Sequence, residues 1–193
     1  MFTADKRIHS LKIQKRSEGE FGKTTVHQFV LSGSGRLAEE LAVRTRHIEF
    51  IGNSLTCGYG TDGKHRDEPF LVETENCNLT FASMVARYYD ADYTLIAHSG
   101  RGAARNYGDS VRVSKVTMKD RMLNTFDEDL THKWNFKEYR PDLAVINLGS
   151  NDFSTEPHPY KSEFTKAYKQ ILAQLREHYG DIPILCIYPV AMQ

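Results

Sequence analysis

The sequence lacks several features that would direct it to particular partners. Its 25 basic residues equal its 25 acidic residues, so no net charge attracts nucleic acid or an anionic membrane surface. No apolar run is long enough to cross a bilayer. Residues 1–7 lack the apolar core of a signal peptide. We therefore expect neither a nucleic-acid partner nor a membrane partner.

Cysteine is also scarce, and its spacing excludes two common uses. The three cysteines, Cys57, Cys77 and Cys186, are far apart in the sequence. Since they form no C-x-x-C pair, the sequence predicts neither a zinc site nor a framework of disulfides. Two alternatives stay open, namely three reduced thiols, or one disulfide and one free thiol.

The chain has the length of one α/β domain with a small appendage, at 193 residues. Residues 8–14 and 24–31 alternate in polarity like exposed strands, and a turn-rich stretch at 17–22 separates them. A flexible break follows at 32–35. Because two isolated strands cannot bury a core, this antiparallel pair must pack on the main domain or belong to a larger β-domain.

From residue 47 onward, apolar strands alternate with helices. The strands are predicted at 48–51, 93–97, 143–148 and 184–188. A helix over 79–89 would be capped by Asn78, with Phe81, Met84, Val85 and Tyr88 on its buried face. A second helix over 160–179 has apolar residues at helical spacing and a glycine stop at Gly180. This alternation predicts a parallel sheet covered on both faces.

Three of these strands end in small or polar residues. Ser54 follows the first strand on a glycine-rich turn, Gly100 and Gly102 follow the second, and Asn151 follows the third. Ligands bind at the carboxyl edge of an open parallel sheet, so these groups are expected to meet there. A hydroxyl nucleophile beside N–H and carboxamide donors is the equipment of acyl transfer.

These residues resemble the SGNH (GDSL-like) hydrolases, and more narrowly carbohydrate esterase family 2. The first family block, G-D-S-[IL]-T-C-G-Y-G, corresponds to residues 52–60, which read G-N-S-L-T-C-G-Y-G. The second, S-G-x-G followed by R-N-Y, corresponds to 99–102 and 105–107. The third, P-D-x-x-x-I-N-L-G-[TS]-N-D, corresponds to 141–152. Together the three blocks cover roughly residues 47–155 in the family's order.

The resemblance implies a three-layer α/β/α, flavodoxin-like SGNH-hydrolase fold. Residues 1–45 would be the remnant of an N-terminal β-sandwich (jelly-roll) domain. Residues 46–193 would form a hydrolase domain without its C-terminal part. The family also suggests a secreted or periplasmic bacterial protein, although no signal peptide is present in this chain.

The implied function is that of a serine carbohydrate esterase, which removes O-acetyl groups from plant polysaccharides such as xylan or mannan through an acyl-enzyme. Its partner would be an acetylated polysaccharide or oligosaccharide. Ser54 would be the nucleophile. The Ser54 N–H, the Gly102 N–H (with Gly100 as the alternative) and the Asn151 side chain would form the oxyanion hole. The mechanism requires no cofactor and no metal.

The sequence departs from the family pattern in two places. Asn53 stands where the family has aspartate, which keeps the shape but removes a charge. The catalytic histidine of the family lies in a late block, often His-Pro, and no residue of this chain matches it. His98 and His158 are weaker candidates for a general base. The alternative to an active esterase is therefore a catalytically impaired fragment or a carbohydrate-binding protein.

Several other side chains are candidates for contact with substrate. Tyr59, Arg101 and Tyr107 lie in the site blocks and are the predicted substrate-binding residues. Arg105 and Trp134 are further candidates, and for all five a purely structural role is the competing interpretation. Asp152 is expected to brace the site rather than to react.

Overall fold

The computed structural model describes residues 11–31, 33–38 and 44–188. Its strands and helices follow one another along the chain as β1 (His47–Gly52), α1 (Ser54–Cys57), α2 (Phe81–Tyr88), β2 (Asp92–Ala97), α3 (Met118–Arg121), β3 (Asn124–Phe126), β4 (Asp129–Lys133), β5 (Leu143–Ile146), α4 (Lys161–Tyr179) and β6 (Ile184–Cys186). Four strands form one sheet in the order β2-β1-β5-β6, and every pair in it is parallel. The predicted parallel sheet is therefore confirmed.

Helices cover both faces of this sheet, because side chains of one strand alternate between two cores. On one face, Phe50 of β1 packs in a cluster with Ala82 and Ala86 of α2. On the other face, Ile51 packs in a cluster with Ile171 of α4. This is a three-layer α/β/α arrangement, as the resemblance implies.

Helix α4 follows its prediction closely. It ends at Tyr179, where Gly180 takes a positive φ of 68° and stops the helix. Its apolar stripe is buried at Ala167, Ile171 and Leu175. Neither α4 nor any other helix in the described part of the chain is long and apolar enough to cross a membrane.

Helix α2 differs from its prediction in both its start and its buried face. Its cap is Thr80, whose hydroxyl accepts the Ser83 N–H, and not Asn78. The buried positions are Ala82, Ser83 and Ala86. Of the predicted face, Phe81 packs against the core, but the prediction is wrong for Met84, Val85 and Tyr88, which are all exposed. Small side chains let the helix lie close to the sheet, which leaves the large ones outside.

The predicted N-terminal strands are absent from the described residues. Residues 11–14 and 24–31 have no strand, and residues 8–10 lie outside the described part. The segment instead runs irregularly and makes a short 3-10 turn at Gly19–Phe21. Strand-like alternation at 24–31 finds no neighbouring strand to pair with, and its Val30 is 81% exposed. The division of the chain at residues 45 and 46 stays a prediction.

The hairpin of β3 and β4 was not predicted. These two strands pair antiparallel away from the main sheet. Their residues, N-T-F and D-L-T-H-K, carry too few apolar side chains for the alternation that marks a strand.

Candidate active site

The carboxyl ends of β2, β1 and β5, three adjacent strands of the sheet, lie level with one another. Gly52 at the end of β1 pairs with Ala97 at the end of β2. Ile51, one residue earlier, pairs with Ile146 at the end of β5. The chain segments that follow these strands therefore leave the sheet at one edge, which we call the rim. Ser54, half-buried and the first residue of α1, lies at this rim.

The turn that carries Ser54 leaves little room for other residue types. A Cβ on Gly52 would collide with the side chain of Thr56. Gly58 has a positive φ of 90° and lies against the Asn76 carbonyl, so a side chain there would be both strained and blocked. These contacts explain two of the first-block glycines, Gly52 and Gly58, and hold Ser54 on a tight strand-to-helix turn.

Asn53 links the end of β1 to the end of β5. It is fully buried, and its Nδ2 donates to Ser150 Oγ at 2.8 Å. Its Oδ1 accepts the Leu55 N–H at 3.3 Å and so caps α1. Aspartate would make the same cap but could only accept at the other oxygen, with the Ser150 hydroxyl as donor. The departure from the family pattern thus keeps the link and reverses the direction of one hydrogen bond.

The second block requires glycine at position 102. A Cβ there would collide with the Arg105 carbonyl and the Asp152 carboxylate. The Gly102 N–H points to Asn106 Oδ1 at 3.4 Å, which is long for an N–H···O bond. The Gly102 N–H therefore makes only a weak hydrogen bond within the protein and can still donate to a ligand. Gly100, the alternative, has a positive φ of 74°.

Asp152 braces the second block from beneath. It is fully buried and accepts three backbone N–H groups, from Ala103 at 3.0 Å, Ala104 at 2.7 Å and Arg105 at 2.9 Å. Burial raises the pKa of this carboxyl, and the three backbone donors oppose that rise. The bracing role expected for Asp152 matches these contacts.

Asn151 is tied to the same loop. Its Nδ2 donates to the Arg101 carbonyl at 2.8 Å, and the residue is 9% exposed. A carboxamide has two N–H donors, so one remains beyond this bond. The side chain is thus oriented by the protein while keeping a donor for another acceptor.

Neither of the two histidines considered as a general base, His98 and His158, is hydrogen-bonded to Ser54. His158 is exposed and lies 3.5 Å from Glu156. His98 is 2% exposed and turned into the protein, with Nδ1 3.0 Å from Glu18 Oε2. Its Nε2 faces Asp127 at 3.5 Å and Glu128 at 3.4 Å. In this orientation His98 is enclosed by carboxylates and is not a base for the Ser54 hydroxyl.

Groups of potential metal-ligating atoms also surround His98 and Cys57. The ligand-type atoms within 4.8 Å of one another belong to three sets: Glu18, Cys57 and Glu75; Glu18, Glu20 and His98; and His98, Asp127 and Glu128. Arg121 already pairs with Asp127 at 3.1 Å and with Glu128 at 3.0 Å. The carboxylates of Asp127 and Glu128 are therefore already paired with a cationic side chain of the protein. All three cysteines are free thiols.

The candidate substrate-binding residues have different environments. Tyr59 is 49% exposed and stacks on Phe70 with 3.7 Å between ring centroids. Tyr107 is 62% exposed, and Arg101 is half-buried. These three remain candidates for contact with a ligand at the rim.

Arg105 and Trp134 have structural surroundings. Arg105 is fully buried and donates to the carbonyls of Asp109, Val111 and Glu156. The suggestion that it contacts substrate is therefore wrong, because its guanidinium is used to hold the loops behind the rim. Trp134 lines a cavity of about 290 Å³ beside β2.

Glu18 is the residue of this region that sequence reasoning missed. Its Oε2 accepts the N–H of Ser99, the first residue of the second block, at 2.7 Å. Glu18 stands in a turn-like stretch far from every motif, and no spacing or periodicity singles it out. Only the folded chain brings it under the rim.

Comparison with known proteins identifies relatives of the chain. Residues 50–193 match the model of the GDSL-like lipase/acylhydrolase family. The cellulase/esterase CelE of Acetivibrio thermocellus is 36% identical over 92% of this chain and 21% of that protein. An acetylxylan esterase/glucomannan deacetylase of Cellvibrio japonicus is 37% identical over 76% of this chain and 40% of that protein. The chain spans less than half the length of these curated relatives.

Solved structures give the same result for the fold. A family two carbohydrate esterase from Clostridium thermocellum, in complex with cellohexaose, has a TM-score of 0.74 and 35% identity. The match covers 83% of this chain and 49% of that one. An active-site mutant of a family two esterase from the same organism has a TM-score of 0.73 and 37% identity, covering 80% of this chain and 46% of that one. The resemblance to family 2 carbohydrate esterases is thereby confirmed.

Proposed function

The chain belongs to the GDSL-like lipase/acylhydrolase family, and from this premise we propose that it is a serine carbohydrate esterase. It would remove O-acetyl groups from plant polysaccharides such as xylan or mannan. One observation supports this most: hydrogen bonds tie the loops after β1, β2 and β5 to one another at the rim. Asn53 bonds Ser150, and Asn151 bonds the Arg101 carbonyl.

The proposed chemistry is acyl transfer in two steps. The Ser54 hydroxyl attacks the acetyl carbonyl, the sugar alcohol leaves, and water then releases acetate from the acyl-enzyme. Negative charge on the carbonyl oxygen would be stabilised by the N–H groups of Ser54 and Gly102 and by the Asn151 carboxamide. The Ser54 N–H is suited to this because the first N–H groups of a helix have no intrahelical acceptor. No step uses a metal or a cofactor.

The substrate class is supported by the relatives. Proteins similar to this chain are an acetylxylan esterase/glucomannan deacetylase and an esterase solved with cellohexaose. Tyr59 and Tyr107 are exposed, and exposed aromatic rings offer an apolar face with a polar tip to a ligand. We propose these residues and Arg101 as contacts for the sugar.

The proposed mechanism also needs a general base, because a neutral serine hydroxyl is a poor nucleophile. No described histidine is hydrogen-bonded to Ser54. His98 and His158 have carboxylate neighbours instead. This observation favours carbohydrate binding without catalysis as the second candidate function.

Hydrolysis of a chromogenic acetyl ester and release of acetate from acetylated xylan test the proposal. Ser54→Ala should lower kcat by about 10⁴- to 10⁶-fold, the loss expected when one member of a catalytic unit is removed. Ser162→Ala, at an exposed serine of α4, is the matched control and should retain full activity.

Two results would count against the esterase. Equal hydrolysis by Ser54→Ala and the native chain would exclude Ser54 as nucleophile. If the native chain releases no acetate but binds xylo- or cello-oligosaccharides, then the carbohydrate-binding function replaces the proposed one.

A further inference from the structure

A single carboxylate oxygen from the N-terminal segment collects three donors beneath the rim. Glu18 Oε2 accepts the Ser99 N–H at 2.7 Å and lies 3.0 Å from His98 Nδ1. The Cys57 thiol also donates to it, at 3.4 Å. Glu18 is 7% exposed, so water does not replace these partners. Residues 11–31, the described stretch that supplies Glu18, form no strand and only one short 3-10 turn.

The donors belong to the two elements that carry the proposed catalytic groups. Cys57 is the last residue of α1, three positions after Ser54. Ser99 opens the second block, three positions before Gly102. The separation between nucleophile and oxyanion donor depends on how these two elements lie against each other. Glu18 is bonded to both.

The Glu18 carboxyl is held in its charged form. Burial by itself raises its pKa, but hydrogen bonds from His98 and Ser99 outweigh that effect and lower the pKa to about 2. The neighbouring Glu75 behaves oppositely: burial, and secondarily the charge of Glu18, raise its pKa to about 7. Glu75 Oε2 accepts the Glu18 N–H at 3.1 Å and so holds the Glu18 backbone in place. Hydrogen bonds to an ionised acceptor are stronger than neutral ones.

We propose that Glu18 is a positioning residue for the acyl-transfer site: its carboxylate fixes the helix that carries Ser54 against the loop that carries Gly102. This inference rests on the proposed esterase function. It assigns a part in the reaction to the irregular residues 11–31, which supply Glu18. Glu18 acts through Cys57 and Ser99.

The expected consequence is a loss of turnover rather than of substrate binding. Without the carboxylate, the Ser99 N–H and the Cys57 thiol lose their shared acceptor, and the two elements can shift apart. A misplacement of about 1 Å costs about 100-fold in rate. Glu18→Ala should therefore lower kcat by about that factor and leave KM within about twofold. Glu18→Gln keeps one oxygen acceptor and should lose less.

The test combines ester hydrolysis with amide hydrogen exchange on the full chain. Glu18→Gln and Glu18→Ala are compared with Glu20→Gln, a control at the nearby glutamate whose side chain is 51% exposed and lies 3.7 Å from His98. The expected result is faster exchange at Ser99 and in residues 54–58, together with lower kcat, in the Glu18 variants alone. Exchange in α4 monitors global stability and should stay unchanged in Glu18→Gln.

Each other outcome is decisive. Unchanged exchange at Ser99 overturns the link, whether or not activity falls. Faster exchange with unchanged kcat overturns its role in the reaction. If the native chain hydrolyses no acetyl ester, the proposed function fails. The exchange data alone then decide whether Glu18 links α1 to the loop that carries Ser99. If the native chain is active and Glu18→Ala is equally active, only the positioning role fails.

Discussion

The rim and the core beneath α4 both contain fully buried residues, but the two regions are held together in different ways. At the rim, Asn53 and Asp152 are fully buried polar residues. Their oxygens and nitrogens are matched to donors and acceptors one by one, as in the three N–H groups on Asp152. In the core, Ile171 and Leu175 are fully buried among other apolar side chains.

The difference shows that hydrogen-bond partners decide which residues fit at the rim, whereas side-chain volume decides which residues fit in the core. A buried polar group left without its partner costs free energy, so each rim contact constrains both residues that make it. An apolar core tolerates changes that keep volume and loses stability when volume is removed. Substitutions at the rim should therefore affect mainly the reaction, and substitutions in the core should affect mainly the free energy of unfolding.

The largest effect on the reaction, relative to the effect on stability, is expected for a substitution at Gly102. In Gly102→Ala, the new Cβ would meet the Asp152 carboxylate and the Arg105 carbonyl, and the displaced N–H would no longer face the position proposed for the oxyanion. Loss of one such donor lowers kcat by about 100- to 1,000-fold. Activity per folded molecule is measured beside thermal unfolding. Gly63→Ala is the control, where an added Cβ approaches the nearest atom at 3.0 Å.

If Gly102→Ala lowers the thermal stability but leaves the activity per folded molecule unchanged, the distinction between rim and core fails. The rim would then be only another part of the core, and Gly102 would owe its residue type to packing alone.

Ile171→Ala tests the corresponding expectation for the core. Truncation of this fully buried side chain should lower the free energy of unfolding by about 2 to 5 kcal/mol, through lost apolar contact and the cavity left behind. Urea unfolding gives this value, and kcat of the folded fraction should change little. Lys169→Ala, at an exposed position of the same helix, should be nearly neutral. A large fall in kcat for Ile171→Ala would show that the rim depends on the core.

Glu49 is a polar exception inside the core, and it predicts a pH dependence. Tyr179 donates to Glu49 Oε2 at 2.7 Å, but burial dominates and raises the pKa of Glu49 from 4.5 to about 7. Between these values the unfolded chain ionises while the folded chain keeps the proton. Stability contributed by Glu49 is therefore complete below pH 4.5 and falls until pH 7, by at most about 3 kcal/mol.

Glu49→Gln should remove this part of the pH dependence, since glutamine keeps the bond to Tyr179 without titrating. The measured quantity is the free energy of unfolding at several pH values, taken as the difference between variant and native chain. This difference cancels the contribution of Glu75, whose pKa is also raised to about 7. Glu177→Gln, at an exposed glutamate of α4, is the control. Parallel pH curves for Glu49→Gln and the native chain would refute the assignment.

Features that depend on neighbouring residues were predictable from the sequence. Helix α4 and the parallel sheet follow from apolar spacing, and the turn after β1 follows from its glycines. The buried face of α2 was not predictable in this way, because Ala82 and Ala86 are buried by their small size rather than by hydrophobicity. The burial of Arg105 was likewise hidden, since its partners are main-chain carbonyls that carry no sequence signature.

The sequence by itself determined the family, the order along the chain of the four strands of the parallel sheet, and the position of Ser54 after the first of these strands. Periodicity and turn chemistry act between residues close in sequence, and three motifs in order are specific. Only the tertiary structure decided how the rim is held. Glu18 meets Ser99 across 81 positions and Cys57 across 39. A buried charge of this kind is stable only where folding brings several donors to one oxygen, and no local pattern encodes that convergence.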